Sequence, residues 1–307
     1  MHSKKKNPFI LAKQYWMVYL LILPALVFTF IFSYIPIAGL ATAFKDFNIF
    51  RGFWDSPWAA NYGMANIINI FTNRSLMNSI GNTVLLSALN ILIGFPAPII
   101  LALMINELKV GAFKKTVQTV SYAPFFLSWI TVVGLVMMFF SKHGPFNDFM
   151  MFLSPDRIRE NPLMHQENFL PMLIGINLWK DIGWNSIIFI AAISSIDPQL
   201  YEAATVDGAG KWRQMLHITL PGLSMTMIVL FVLRIGTLMA SNFELVYGLQ
   251  NSFIDFDVID TVIYKQGLLG RNYANATALG FVRGMIALTL TLGANYISKK
   301  VNKISII

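Results

Sequence analysis

The chain has 307 residues, 56% hydrophobic and only 12% charged, with a net charge of +8. Soluble domains carry about 25% charged residues, so this composition excludes a water-soluble protein and points to an integral membrane chain. The absence of cysteine excludes disulfides, thiolate catalysis and cysteine-based metal sites, and the four scattered histidines (His2, His143, His165 and His217) have no ligand spacing.

A membrane helix needs about 20 mostly apolar residues, and six runs qualify. The first, 16–38, follows Lys4, Lys5 and Lys6. It is too long for a secretory signal and no Ala-x-Ala site follows, so it reads as an uncleaved span. The stretch 42–76 is polar, and its Trp54 and Trp58 suit an aromatic belt at the headgroups. The second span, 79–105, holds Asn82, Thr83, Ser87 and Asn90 with Gly94, Pro96 and Pro98 nearby, a pattern that suits close helix contact and a kink. The third is 117–140. The fourth, 170–194, is interrupted by Lys180-Asp181. A polar insert, 196–220, separates it from the fifth, 221–241. The sixth, 276–297, contains Gly284 and Gly293, which also read as packing residues. In lipid the backbone must satisfy its own hydrogen bonds. The expected fold class is therefore all-α integral membrane: one domain over 1–307, with six transmembrane helices and no internal repeat.

Charge gives the orientation. With the N-terminus inside, the inner segments 1–15, 106–116, 195–220 and 298–307 hold 12 Lys+Arg, against 11 elsewhere, so the bare count decides nothing. The short segments decide it: Lys114-Lys115, Lys299-Lys300 and the N-terminal lysines abut span ends, where positive charge marks the cytoplasmic side. Both termini and the 196–220 insert are then cytoplasmic. Membrane topology accounts for the positive charge without nucleic acid.

Within the insert, Asp197-Pro198 is a helix start, since Asp can cap free N–H groups and Pro fits the first turn. Gln199 to Val206 propagates it, and Gly208 supplies a left-handed stop. Lys211 to His217 is expected to form a second short helix, with Pro221 opening the fifth span. Small residues at Ala203, Ala204, Gly208, Ala209 and Gly210 would let another backbone approach closely. Composition alone leaves two readings open: an interfacial helix lying on the membrane, or a docking element. The run Gly208-Ala209-Gly210-Lys211 lacks P-loop spacing, and Trp212 stands where Ser or Thr would bind magnesium. The chain carries no nucleotide site of its own.

Charges inside spans cost about 3 kcal/mol each and usually face protein or a water path. Asp181 lies 15 residues before Ile196, and Arg234 lies 13 residues after Pro221. At about 1.5 Å per residue both sit roughly 20 Å from the cytoplasmic end. They are expected to pair, with Lys180 reaching outward. The cluster either fixes span packing or lines a substrate site.

Glu202-Ala203-Ala204, Asp207-Gly208 and Ile218-x-Leu220-Pro221 resemble the EAA loop of the MalF/MalG-like permeases of binding-protein-dependent sugar importers. Trp179 to Asn185, Ile196 to Tyr201 and Asn242-Phe243-Glu244 resemble the branch linked to lipoprotein-dependent poly- and oligosaccharide uptake. The resemblance implies a type I ABC importer permease fold with a coupling helix, and covers all six spans. It assigns Glu202, Ala203, Ala204, Asp207 and Gly208 to contact with a cytoplasmic ATPase. The implied partners are a second related permease, two ATPase subunits that hold ATP and magnesium, an external solute-binding lipoprotein, and a carbohydrate. The permease itself binds no cofactor and catalyses no covalent step. It would sit in a bacterial plasma membrane. In that family the spans flanking the coupling loop line the pathway, which makes Asn177, Lys180, Asp181, Trp184, Asn185, Arg234, Thr237, Ser241, Asn242 and Glu244 the substrate candidates. Trp184 could equally face lipid. The competing reading is a gradient-driven secondary transporter that uses Lys180, Asp181 and Arg234, but it leaves the insert unexplained. A membrane enzyme finds no paired carboxylates, metal ligands or Ser/His arrangement at matching depth.

Overall fold

Apolar runs of this length can satisfy their backbone groups only as helices, and the described residues of the computed structural model, 14–109 and 111–302, contain no strand. The lysines at 4, 5, 6, 13 and 303 and His2, used above, lie outside them. Among the described residues, four helices are long and apolar enough to cross a membrane. These are α1 (Trp16–Phe44), α3 (Arg74–Glu107, preceded by the short α2, Ala65–Thr72), α9 (Lys211–Gly236) and α12 (Tyr273–Asn302). The helix α7 (Gln166–Ser194, preceded by the short α6, Pro145–Leu153) has the length, at 29 residues, but Asn177, Lys180, Asp181 and Asn185 interrupt its apolar surface, and it is not among the four.

The continuous third span expected over 117–140 is not formed. The chain makes α4 (Ala112–Phe126), stops, and restarts as α5 (Trp129–Phe139) at 104° to it. Pro124 removes a backbone donor and the last turn tightens to a 3-10 turn over Ala123–Phe126. Leu127 and Ser128 are extended, and the Ser128 hydroxyl caps α5 by accepting from the Thr131 N–H at 3.2 Å.

The second short helix of the insert is likewise not separate. Lys211 to Gly236 is one helix, and the widened turn Met215–Thr219 accommodates Pro221: the Leu220 N–H reaches back five residues to Met215. A proline ring normally clashes with the carbonyl four residues earlier, and the π turn opens that space. Helix α9 stops at Gly236, short of the expected 241, and residues 237–242 run unwound into α10 (Phe243–Leu249). Helix α1 extends past the expected end at 38, and no residue between Trp16 and Gly39 is buried. An all-round apolar helix of this kind suits a lipid or protein surround; only its last turn, residues 40–44, packs on α12. After it, the buried Lys45 donates to the Phe53 carbonyl at 2.6 Å and holds a loop on which Trp54 and Trp58 are exposed.

The apolar core divides into three clusters. The first joins Leu86 of α3, Val132 and Val133 of α5, Phe169, Leu173 and Ile176 of α7, and Leu245 and Leu249 of α10. The second gathers Ile70, Leu76, Ala278 and Leu279 around Ile259 and Val262, which lie in a further helical stretch, 259–269 (α11). The third packs Ile99 and Ala102 of α3 against Phe189 and Ile193 of α7 and Leu223 of α9. On α3 the gap between first and third cluster runs from Leu86 to Ile99, and on α7 from Ile176 to Phe189. Ser87 and Asn90 of α3 and Asn177, Lys180, Asp181 and Asn185 of α7 fall in that gap.

Candidate functional site

A cavity of about 370 Å³ fills the gap. Helix α7 gives it one face: Ile174, Asn177, Leu178, Asp181, Ile182 and Asn185, the three- and four-residue spacing of a single helical stripe. Helix α3 adds Ser87, Asn90 and Gly94 at its kink, and Trp129 enters from the first turn of α5. Arg234 comes from the last turn of α9, and the unwound segment adds Thr237, Ser241 and Asn242, followed by Glu244. The Asn242 side chain caps α10, accepting from the Leu245 N–H at 3.3 Å, while its amide donates to the Asn177 side-chain oxygen at 3.1 Å. That bond stitches the unwound segment to α7.

Eight of the ten substrate candidates line the cavity: Asn177, Asp181, Asn185, Arg234, Thr237, Ser241, Asn242 and Glu244. Lys180 and Trp184 do not, because one residue of helix turns a side chain by about 100°. Lys180 does not reach outward as expected. It is 4% exposed, and its ammonium donates to the Phe125 carbonyl at 2.8 Å. In an unbroken helix that carbonyl would accept from the Trp129 N–H; the break frees it and Lys180 fills the vacancy. Trp184 stacks on the Phe125 ring, centroids 4.3 Å apart and planes 2° from parallel. Asp181 and Arg234 share the cavity wall but make no direct ion pair. Ser87, Asn90 and Gly94, read from sequence as packing residues, are cavity residues.

The charged groups that do pair were not singled out in the sequence. Arg283, a cation inside the sixth span, pairs with Asp260, whose other oxygen accepts from the Ser241 hydroxyl at 2.5 Å. Ser241 thus ties the cavity wall to α11 and α12. An Arg within an apolar run was the available signal. Nearby, one Asp257 oxygen accepts from Lys265 at 2.8 Å, Thr261 at 2.7 Å and the Gln250 amide at 3.0 Å. Burial pushes the Asp257 carboxyl up, but these donors outweigh it and hold the group below the ordinary carboxylate range.

The insert folds as its sequence dictates up to residue 210. Asp197 accepts from the Gln199 N–H at 2.9 Å, and α8 (Pro198–Val206) follows. Gly208, at φ +74°, ends it. The Ala209 N–H closes back on Ala204 at 2.8 Å and the Gly208 N–H on Thr205 at 3.1 Å, the paired bonds of a left-handed helix stop. Tyr201 and Gln214 contacts hold α8 against α9, and a further pair ties α9 to α3. Tyr201 and Thr219 share a hydroxyl bond at 2.9 Å, the Gln214 amide donates to Thr205 and to the Ala209 carbonyl, both at 3.0 Å, and Lys211 meets Glu107 at the end of α3 at 2.5 Å. Glu202, Ala203, Asp207 and Gly208 are exposed and Ala204 is half-buried. Val206 and Trp212 stand out beside them, 88% and 75% exposed.

The described helices form a bundle with a break at 127–128 and a polar cavity beside it. The chain belongs to the family of binding-protein-dependent transport system inner membrane components, whose model matches residues 65–303. It is a multi-pass membrane permease. Among its relatives, Protein LplB of Bacillus subtilis is 39% identical over 293 residues, covering 94% of this chain and 90% of LplB. The polygalacturonan/rhamnogalacturonan transport system permease protein YteP of the same organism is 39% identical over 301 residues, covering 97% and 92%. A solved bacterial ABC transporter involved in import of the acidic polysaccharide alginate has a chain with TM-score 0.85 and 37% identity, covering 96% of this chain and 99% of that one. A solved bacterial alginate ABC transporter in complex with an alginate pentasaccharide-bound periplasmic protein has a chain with TM-score 0.86 and 37% identity, covering 96% of this chain and 98% of that one.

Proposed function

We propose that this chain is one of two related permeases in an ATP-driven importer of oligosaccharides. Counting α4 and α5 as one bent span and α7 as another gives six spans, with both termini and the α8 insert on the cytoplasmic side. An external binding protein delivers the sugar to the cavity between α3, α7 and α9. Two cytoplasmic ATPase subunits hold ATP and magnesium and grip the exposed edge of α8, with Glu202 paired to a basic or polar group there. Closing of the ATPase dimer opens the cavity outward, and hydrolysis resets it. The cavity residues hydrogen-bond sugar hydroxyls during passage, and no covalent chemistry takes place.

The observation that carries this reading is likeness along more than nine-tenths of the chain, at 37–39% identity, to a polygalacturonan/rhamnogalacturonan transport permease and to a chain of an alginate transporter. The rigid, solvent-facing α8 adds a surface with no internal partner for Glu202. A pull-down of the tagged chain in mild detergent, followed by mass spectrometry, tests the assembly. An ATPase and a second permease should come with the wild type, and Glu202→Lys should abolish sugar-stimulated ATP hydrolysis while the protein is still made. A chain that purifies without an ATPase contradicts the reading.

A further inference from the structure

Trp129 is the aromatic side chain of the cavity wall; every other described lining residue is aliphatic or polar. A pyranose ring has a face of C–H bonds and a rim of hydroxyls. Sites that hold such rings need a flat apolar plane for the face and lateral hydrogen-bonding groups for the rim. Around Trp129 the cavity supplies the second requirement through Asn177, Asp181, Asn185, Arg234 and Glu244. The helix break supplies the first. Were α4 and α5 continuous, residue 129 would lie one turn further along the same axis; the 104° bend instead carries the indole to the polar face of α7.

Residues of α7 hold the bend. The Lys180 ammonium binds the carbonyl freed at Phe125 and lies 5.0 Å above the Phe125 ring and 4.8 Å above the Trp129 ring. Trp184 stacks on Phe125 beside it. Gly183 completes the clamp: a Cβ there would fall 1.9 Å from the Ser121 carbonyl oxygen, so only glycine lets α4 approach this closely. Lys180, Gly183 and Trp184 face the break, and Asp181 and Asn185 of the same helix face the cavity.

We propose that Trp129 is the platform on which a sugar ring stacks in the cavity, and that Lys180 is its positioning residue. This rests on the saccharide reading given above. The two are separated by assaying the complete importer in proteoliposomes, with its binding protein and a pooled set of alginate and pectin oligosaccharides, and measuring sugar imported per ATP hydrolysed. A residue with a merely structural role lowers both fluxes together and leaves that ratio unchanged. Trp129→Leu should lower the ratio about tenfold, the loss expected from one stacked ring, and Trp129→Phe should hold it within about twofold. Lys180→Met should follow Trp129→Leu, and Lys180→Arg should restore the ratio. The Trp129→Phe complex, which keeps a ring, gives a second readout: its sugar-induced change in indole emission should be smaller than the wild type's, the other six tryptophans of the chain being unchanged. Wild-type import with an unchanged ratio in Trp129→Leu, or an emission change in Trp129→Phe as large as the wild type's, overturns the platform. An unchanged ratio in Lys180→Met overturns the positioning role. A wild-type complex that imports none of the pool overturns the saccharide reading and the platform with it.

Discussion

Between residues 257 and 283 every carboxylate inside the bundle meets a donor. Asp260 meets Arg283 and Ser241, and Asp257 takes three hydrogen bonds. In the cavity, Asp181 and Arg234 share a wall and leave each other unpaired. Charge costs energy in both places, and it is handled in opposite ways. Closed pairs hold α11, α12 and the unwound segment together; the open groups keep their hydrogen-bonding capacity facing the cavity.

The largest expected effect comes from breaking a closed pair. Arg283→Met leaves Asp260 uncompensated and should destabilise the protein by about 3 kcal/mol, read as a lower midpoint of thermal unfolding in detergent. Arg234→Met should change that midpoint little and abolish transport. If Arg234→Met also unfolds the protein, the distinction between the two sets is wrong. The next effect sharpens the same point. Asp181→Arg with Arg234→Asp exchanges two charges that do not touch, so the exchange should not rescue transport in an uptake assay; full rescue would establish a direct pair.

A smaller effect is expected in the insert. Gly208 sits at φ +74° with open space around its missing Cβ. Gly208→Ala should therefore cost about 1 kcal/mol of local stability through backbone strain alone, visible as faster hydrogen exchange at the Gly208 and Ala209 amides. The smallest effect is acid lability near Asp257. Its carboxyl titrates lower in the folded chain than in the unfolded one, so it stabilises the fold above the ordinary carboxylate pKa. That contribution should fade as pH drops below about 4, and Asp257→Asn should remove this part of the pH dependence.

Much of the cavity was legible because helical spacing is a hard constraint. Asn177, Asp181 and Asn185 are four residues apart, so they had to share a face. The same geometry sends Lys180 and Trp184 elsewhere, and residue type alone conceals that. The break at Leu127-Ser128 was not legible by hydropathy, since both sides of it are apolar; only Pro124 and the capping Ser128 marked it. The end of α9 at Gly236 was equally hidden, because Thr237 to Ser241 could continue a helix on composition. Ser87 and Asn90 looked like packing residues because small polar groups serve both purposes in membranes. The insert was readable almost residue by residue, since a cap, a proline and a glycine act locally. The contacts that fix it, Tyr201 to Thr219, Gln214 to Thr205 and Lys211 to Glu107, depend on tertiary approach and left no local trace.

The most direct test of the whole account is ATP-driven uptake by proteoliposomes carrying the purified complex, its binding protein and a labelled oligosaccharide. The account predicts accumulation that requires ATP and the binding protein, survives collapse of proton and sodium gradients, and disappears in Glu202→Lys. Accumulation that follows an ion gradient and continues without ATP would contradict it.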